Sequence, residues 1–501
     1  MTAGARWWPR LQLAAGYGAL GALAASGQAP LGWWLVSILA LVGLFHVLPL
    51  AQGSRGLAGR MWLAGTGYFG AALFWIVEPF FIEPEIHGWM APFALVLMAG
   101  GMALFWAGAG ALAALTEGRA RLVALVVALV ALELVRGWVF TGFPWAMLGH
   151  GLIGTPMMQL AAITGAGGLS LLVLGAAVLP VLGAGRVARG IGAIVAIALL
   201  GVVWLWAAGQ TALPPDRDGV IRLAQPNAPQ DEKWLQENMY LFFNRLLDQT
   251  AYPADPAPDL VLWPETSVPF LLEYPGDALE MMADAAALHG PETRIGFGVQ
   301  RIERERYFNS LAVLTTDAEI THIYDKHHLV PFGEYIPFSE WLMGTPIGGL
   351  AGQALMGYSP GPGPVLLDLG PLGMALPLIC YESIFPRPLR TETRPDWILQ
   401  VTNDAWFGEL TGPFQHLAQA RLRAVEQGLP VLRVANTGVS AFIDARGGIA
   451  AQLGLGVTGF IDGPLPGALP ATFYSRHGDG PVWLVLALLL AGAFAERLIR
   501  R

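Results

Sequence analysis

The sequence predicts an α+β membrane protein, in which an eight-helix transmembrane bundle carries one extramembrane domain of alternating strands and helices. Three observations carry that prediction. Hydrophobic residues make up 54% of the 501 residues and charged residues only 13%, with a mean hydropathy of +0.51, a balance suited to lipid rather than water. The few charges are segregated: residues 1–209 contain no lysine and few acids, whereas 210–480 has the mix of an ordinary soluble domain. Apolar runs near the roughly 20 residues that cross a bilayer recur through the first part and once more at the end. A net charge of −8 with no basic stripe argues against nucleic acid as a partner.

The division follows these runs. A transmembrane region over 1–209 holds seven of them, at about 11–28, 31–50, 61–80, 90–115, 121–140, 155–184 and 190–209; 210–480 forms the outer domain; 481–501 supplies the eighth span and a tail. Arginines mark alternate ends: Arg6 and Arg10, Arg55 and Arg60, Arg119 and Arg121, Arg186 and Arg189, then Arg497, Arg500 and Arg501. The loops between, around Ser26–Leu31, Pro79–Gly88 and Gly137–Gly154, carry no lysine or arginine. Positive charge marks the cytoplasmic side, so both termini are expected inside and 210–480 outside. The first run could be taken for a cleaved leader. However, Pro30-Leu-Gly-Trp-Trp34 leads straight into another span, which favours an uncleaved anchor.

Within 210–480, short apolar β-rich runs at Val220–Leu223, Leu260–Trp263, Arg294–Val299, Ser310–Leu314, Ile320–Tyr324, Met374–Ile379, Ile398–Thr402 and Val431–Val434 predict strands. Helical patterns fall between some of them, at Trp234–Gln249, Asp277–His289 and Phe414–Gln427. Such alternation suggests layered α and β structure. Ser310–Tyr324, with Thr316-Asp317-Ala318 at its middle, predicts an antiparallel hairpin. A two-sheet sandwich with helices outside accommodates both features.

Chemistry gathers at the strand ends. Leu260–Trp263 ends in Pro264-Glu265, Ile320–Tyr324 in Asp325-Lys326, and Met374–Ile379 in Cys380. Cys380 is the only cysteine, and Lys233 and Lys326 are the only lysines among 29 basic residues. A lone thiol is usually a core residue, and a Glu and a Lys usually make a surface ion pair. Together, a carboxylate, an ammonium and a thiol suit acyl transfer. A thiol with a pKa near about 8.5 needs help to ionise, Glu265 can take its proton, and Lys326 can stabilise an oxyanion.

Trp263-Pro-Glu265-Thr, Asp325-Lys326-His-His-Leu-Val-Pro-Phe-Gly-Glu334-Tyr-Ile-Pro and Cys380-Tyr381-Glu382 resemble the Glu-Lys-Cys motifs of the nitrilase (carbon–nitrogen hydrolase) superfamily. Together with the membrane spans, they resemble the bacterial apolipoprotein N-acyltransferases within it. The resemblance extends to Glu133-Leu-Val-Arg136, Phe140-Thr-Gly-Phe-Pro-Trp145, Gln225-Pro-Asn227, Asn403-Asp-Ala-Trp-Phe407 and Tyr474-Ser-Arg476-His-Gly-Asp479. It implies a nitrilase-like α-β-β-α sandwich facing the periplasm from the bacterial inner membrane. It also implies a ping-pong reaction, in which the sn-1 acyl chain of a phospholipid, typically phosphatidylethanolamine, passes through a Cys thioester. The acceptor is the α-amine of the N-terminal diacylglyceryl-cysteine of an apolipoprotein. Carried over, Cys380 is the nucleophile, Glu265 the base and Lys326 the oxyanion stabiliser. Glu334 orients or charge-balances Lys326, while Trp234, Tyr381 and Glu382 shape or gate the site. No cofactor is implied, and a monomer is expected.

Other features are weighed against plainer readings. His327-His328 lacks the accompanying ligands of a metal site. Glu133 and Arg136, three apart on a helix, can pair as a structural clamp or contact a lipid headgroup. Gly165–Gly168 suits close helix packing. Trp341–Met356, apolar and glycine-rich, is either a core element or a mobile lid at the membrane surface. Two rival functions share much of this: a membrane-tethered amidase releasing product to water, and a transporter with a non-catalytic outer domain. The seven spans speak against the first; the intact motifs and the scarcity of charge in the spans speak against the second.

Overall fold

The computed structural model describes residues 4–48, 53–337 and 357–499, and side chains between 11 and 493. The Trp341–Met356 stretch and the side chains of Arg6, Arg10, Arg497, Arg500 and Arg501 lie outside the described residues. Two compact units make up the chain: Met1–Ala212 with Phe407–Glu426 and Ala471–Arg501, and Leu213–Trp406 with Gln427–Pro470.

In the first unit a helix stands at each predicted apolar run: Gly4–Ala24, Trp34–Val47, Ser54–Ala72, Ala91–Ala113, Ala120–Arg136, Ala161–Leu182, Arg186–Ala208 and Gly480–Ile499. Among the described residues, Pro84–Ala113, Pro156–Leu182 and Arg186–Ala208 are long and apolar enough to cross a membrane; Trp34–Val47 and Gly480–Ala493 are apolar but shorter. Small residues let these helices touch. A Cβ on Gly21 would lie 1.8 Å from the Ala64 carbonyl oxygen, and one on Gly67 would lie 2.0 Å from that of Gly18, so the first and third helices cross backbone to backbone. Gly165 (φ +60°) breaks its helix, and a Cβ there would meet the Tyr474 ring at 2.2 Å, while Gly167 packs on Leu134. These glycines serve helix packing.

Glu133 and Arg136 are buried and brace one loop. Glu133 Oε1 accepts the Leu148 N–H at 2.8 Å, and Arg136 donates to the carbonyls of Phe143 at 2.7 Å and Trp145 at 2.6 Å. The helix Gly412–Gln427, expected in the outer domain, groups with this unit except for its last residue. Its Gln415 accepts from Trp145 Nε1 at 2.6 Å and donates to the Ala72 carbonyl at 3.0 Å.

The second unit holds two six-stranded sheets. The strands, in chain order, are β1 Arg217–Gln225, β2 Leu260–Leu262, β3 Arg294–Glu303, β4 Arg306–Leu314, β5 Ile320–Asp325, β6 Leu367–Asp368, β7 Met374–Ile379, β8 Trp397–Thr402, β9 Val431–Ala435, β10 Ser440–Ile443, β11 Ile449–Leu453 and β12 Gly459–Leu465. One sheet runs β12-β1-β2-β3-β4-β5 and the other β11-β10-β9-β8-β7-β6. Each has three parallel strands at its centre, β1-β2-β3 and β7-β8-β9, flanked by antiparallel neighbours. β4 and β5 form the expected hairpin, Ser310 opposite Asp325. The buried parts of the central strands are mostly apolar, as burial on both faces favours, and the polar residues among them, such as Arg222, Gln400 and Arg433, are buried. Phe243, Leu246, Met282 and Ala286, from the helices Met239–Ala251 and Ala278–Ala287, pack on Val261, Trp263, Ile295 and Phe297.

Two expectations need correction. The helix expected from Trp234 starts at Met239, because Pro229 opens a series of turns in which Lys233 N–H bonds the Pro229 carbonyl and Asn238 N–H that of Leu235. Strands β6, β10, β11 and β12 were not foreseen: β6 has only two residues, β10 and β11 only four and five, and β12 is broken by Asp462, Gly463 and Pro464.

Candidate active site

Parallel strands deliver their C-terminal ends to one side of a sheet, and this unit uses that geometry in both sheets. After β2 the chain turns sharply through Pro264-Glu265-Thr266, with Thr266 at φ +45°. Gly298 on β3 makes room for that turn, since a Cβ there would lie 2.6 Å from Glu265 Cα. Lys326 follows β5 immediately, its N–H bonded to the Asn309 carbonyl at 2.9 Å. The preceding Asp325 is clamped by Arg301 through two bonds of 2.7 and 2.6 Å and by Ser310 Oγ at 2.6 Å. Cys380 follows β7 at φ +50°, a left-handed conformation that a side chain adopts only under constraint. It opens the short 3-10 turn Cys380–Ile384.

The structure brings Glu265, Lys326 and Glu334 together around one ammonium. Lys326 Nζ lies 2.8 Å from Glu334 Oε1 and 3.4 Å from Glu265 Oε1. Asn309 Nδ2 donates to both carboxylates, at 2.7 Å to Glu265 and 3.1 Å to Glu334. The remaining oxygens accept backbone donors, Glu265 Oε2 from Asn403 N at 2.8 Å and Glu334 Oε2 from Val330 N at 2.8 Å. Burial pulls the Lys326 pKa down, but Glu334, Glu265 and Cys380 outweigh it and hold the ammonium firmly protonated. For the buried Cys380 thiol, burial and the Glu265 carboxylate push the pKa up. Lys326 opposes them, Asp404 adds to the rise, and a hydrogen bond with Thr402 eases it. The net direction is upward, so the resting sulfur carries its proton.

The residues expected to shape or gate the site separate into two kinds. Trp234 is 41% exposed and lines a pocket beside the Glu265 turn. Tyr381 is buried against Phe385 and His328. Glu382 is wholly buried and gates nothing. Its Oε1 accepts the N–H groups of His327 at 2.8 Å and His328 at 3.1 Å; its Oε2 accepts Ile379 N at 2.8 Å and Tyr324 OH at 2.8 Å. The His327 ring nitrogen Nδ1 lies 2.7 Å from Oε1. One carboxylate therefore ties the Lys326 loop to the Cys380 turn. Burial alone would raise its pKa, but the bond and charge of His327, the Ile379 N–H and Lys326 bring it below its ordinary value. His327 thus serves Glu382, and His328 stacks on Phe385 with ring centres 3.8 Å apart.

Two residues of the site escaped the sequence reading of roles. Asn309 stands inside a strand and carries no charge to mark it. Lys233 is buried beside the Glu265 turn, with Thr266 Oγ1 at 3.2 Å. The one available signal was its rarity, as one of two lysines in the chain.

Known proteins similar to this chain show its family. Residues 20–179 match the family model of the apolipoprotein N-acyltransferase N-terminal domain, and residues 221–466 that of the carbon–nitrogen hydrolases. Among solved structures, a mutant amidase of the nitrilase superfamily from Nesterenkonia AN1 is 19% identical, covering 55% of this chain and 98% of its own, with a TM-score of 0.38. An apolipoprotein N-acyltransferase of Caulobacter vibrioides is 39% identical over 95% of this chain and 93% of that protein. One from Allorhizobium ampelinum is 37% identical over 98% and 96%. With such identity running through both halves of the sequence, the chain belongs to the apolipoprotein N-acyltransferase family.

Proposed function

We propose that the chain performs its acyl transfer in two half-reactions through Cys380. In the first, Glu265 takes the Cys380 proton as the sulfur attacks the sn-1 ester carbon of a phospholipid. The tetrahedral oxyanion forms against the Lys326 ammonium, the ester C–O bond breaks, and the proton passes from Glu265 to the departing lysophospholipid. In the second, the α-amine of a diacylglyceryl-cysteine N-terminus attacks the thioester. Glu265 accepts a proton from that amine, the C–S bond breaks, and the sulfur regains a proton. The product is an amide.

The observation that carries this reading is the buried ammonium of Lys326 between Glu265 and Glu334, at 3.4 and 2.8 Å. Two carboxylates beside it leave the cation over-compensated at rest, so it stays charged and fixed until an oxyanion develops, and a preformed donor costs no reorganisation at that moment. Glu334 and Asn309 hold Lys326 and Glu265 in place. The raised pKa of Cys380 makes a base necessary, because little thiolate exists beforehand.

The setting extends the proposal. All eight apolar helices span the bacterial inner membrane, including those shorter than an ideal span, with both termini cytoplasmic and the domain over 210–480 periplasmic. Support comes from the arginines at alternate ends of the spans. The donor is phosphatidylethanolamine, the acceptors are apolipoproteins, and the enzyme works as a monomer without cofactor. Intact-mass spectrometry after incubation with phosphatidylethanolamine tests the first half-reaction. One added acyl mass on Cys380, absent from Cys380→Ala, is expected; an adduct that persists in Cys380→Ala would overturn the mechanism.

A further inference from the structure

The two half-reactions leave Lys233 without a task. It sits in the turns after Pro229, is 6% exposed, and reaches back to the Glu265 segment. Its ammonium lies 3.2 Å from Thr266 Oγ1 and 3.5 Å from the Glu265 carbonyl oxygen, with the Trp234 ring centre at 5.0 Å. Among the described residues no carboxylate stands within ion-pair distance of it, whereas Lys326 has two. Lys233 lines a pocket with Trp234, Met239, Phe242, Val268 and Asn436. These walls are mostly apolar, so the charge is costly to keep there. Burial lowers the Lys233 pKa to about 8, and Glu265 opposes it only in part. A neutral donor could tie Thr266 and the Glu265 carbonyl equally well. What a compact ammonium adds is a place for an anion.

We propose that Lys233 anchors the anionic phosphodiester of the acyl donor, so that the pocket beside Glu265 selects a phosphodiester lipid and not merely an ester. This rests on the acyl-transfer reading above, which supplies a donor whose phosphate lies a few bonds from the reacting ester. Trp234 at the wall then packs on the headgroup or glycerol while Lys233 pairs with a phosphate oxygen. The pocket is a specificity site for the first half-reaction.

The test follows acylation of Cys380 in the full-length, detergent-solubilised protein with two donors of the same acyl chain: phosphatidylethanolamine in mixed micelles and a neutral p-nitrophenyl ester. Lys233→Met is expected to raise KM for the phospholipid roughly 10-fold or more, the value of one hydrogen bond to a charged group, with a far smaller change for the neutral ester. Lys233→Arg should recover part of the phospholipid KM, because a guanidinium also pairs with phosphate. Inorganic phosphate separates the sources of the anion. Competition seen in the unmodified protein and lost in Lys233→Met supports a site for phosphate itself. No competition, with the phospholipid effect intact, supports a site that reads phosphate only as part of a lipid. An equal fall for both donors, a loss confined to kcat, or no change at all overturns the proposal; the first two would make Lys233 a brace for the Glu265 turn. If neither donor acylates Cys380 in the unmodified protein, the acyl-transfer reading itself has failed, which no Lys233 variant can mimic.

Discussion

Replacing Glu382 by Gln probes the strut between the two catalytic loops without changing its size. The carboxylate accepts from His327 N, His328 N, Ile379 N and Tyr324 OH, all within 3.1 Å, and meets the His327 ring at 2.7 Å. In the least damaging placement, the Gln oxygen keeps the His327 and His328 amides while its NH2 faces the Ile379 N–H, donor against donor. Leaving that buried N–H unmet costs about 1–3 kcal/mol, and the bonds that remain lose charge assistance worth about 1 kcal/mol each. The sum is about 3–5 kcal/mol, a large part of the roughly 5–15 kcal/mol that holds a domain folded. For a domain of this size it lowers Tm by roughly 10 °C. The lowered Glu382 pKa fixes the pH dependence. Its stabilisation is complete above the ordinary value of 4.5 and fades as the pH falls through the lower folded value. The gap in Tm between the parent and Glu382→Gln should therefore be full at neutral pH and narrow in strong acid. Calorimetry of the purified protein, paired with the rate of Cys380 acylation by a soluble ester, makes the measurement. A Tm within about 2 °C of the parent, together with an unchanged rate, would refute the bracing role.

Other substitutions reach other parts of the site. Asn309→Ala removes a donor shared by Glu265 and Glu334, so acylation by a soluble ester should slow roughly 10-fold or more. Lys326→Arg puts a planar fork where a compact ammonium fits between two carboxylates, and a loss on the order of 10²–10³ in kcat is expected from stopped-flow acylation. Gly298→Ala would place a Cβ 2.6 Å from Glu265 Cα; activity should collapse more than Tm falls, because the β2 turn moves while the sheet persists. As the pH rises through about 8, Lys233, faced by the Glu265 carboxylate, loses its proton, and KM for phospholipid should climb while that for a neutral ester does not.

The chemistry was legible because it follows apolar strands: Glu265 and Cys380 come just after runs that prove to be the parallel strands β2 and β7, and Lys326 just after the antiparallel edge strand β5. β2 and β7 are buried on both faces, so their composition announces them, while β5 shows as a short β-branched run. Glu382 was visible as a residue but not as a strut, because its partners are backbone amides brought together from two loops. Asn309 becomes informative only when the fold sets it between two carboxylates. β10 and β11 are mostly apolar but only four and five residues long, and β12 is interrupted by Gly463 and Pro464, so their places are set by pairing and not by local composition. The helix Gly412–Gln427 was found by its period, but its place with the first unit depends on buried polar contacts such as Trp145 with Gln415, which periodicity does not encode.

Transfer of a single acyl group tests the central claim most directly. Protein acylated on Cys380 and freed of donor is mixed with a synthetic peptide bearing an N-terminal S-diacylglyceryl-cysteine, or with the same peptide N-acetylated, and all species are weighed by mass spectrometry. The acyl mass is expected to leave Cys380 and appear as an amide on the free-amine peptide alone, with the thioester surviving beside the blocked one. Release of the acyl group as free fatty acid at the same rate with either peptide would contradict acyl transfer and make the protein a hydrolase.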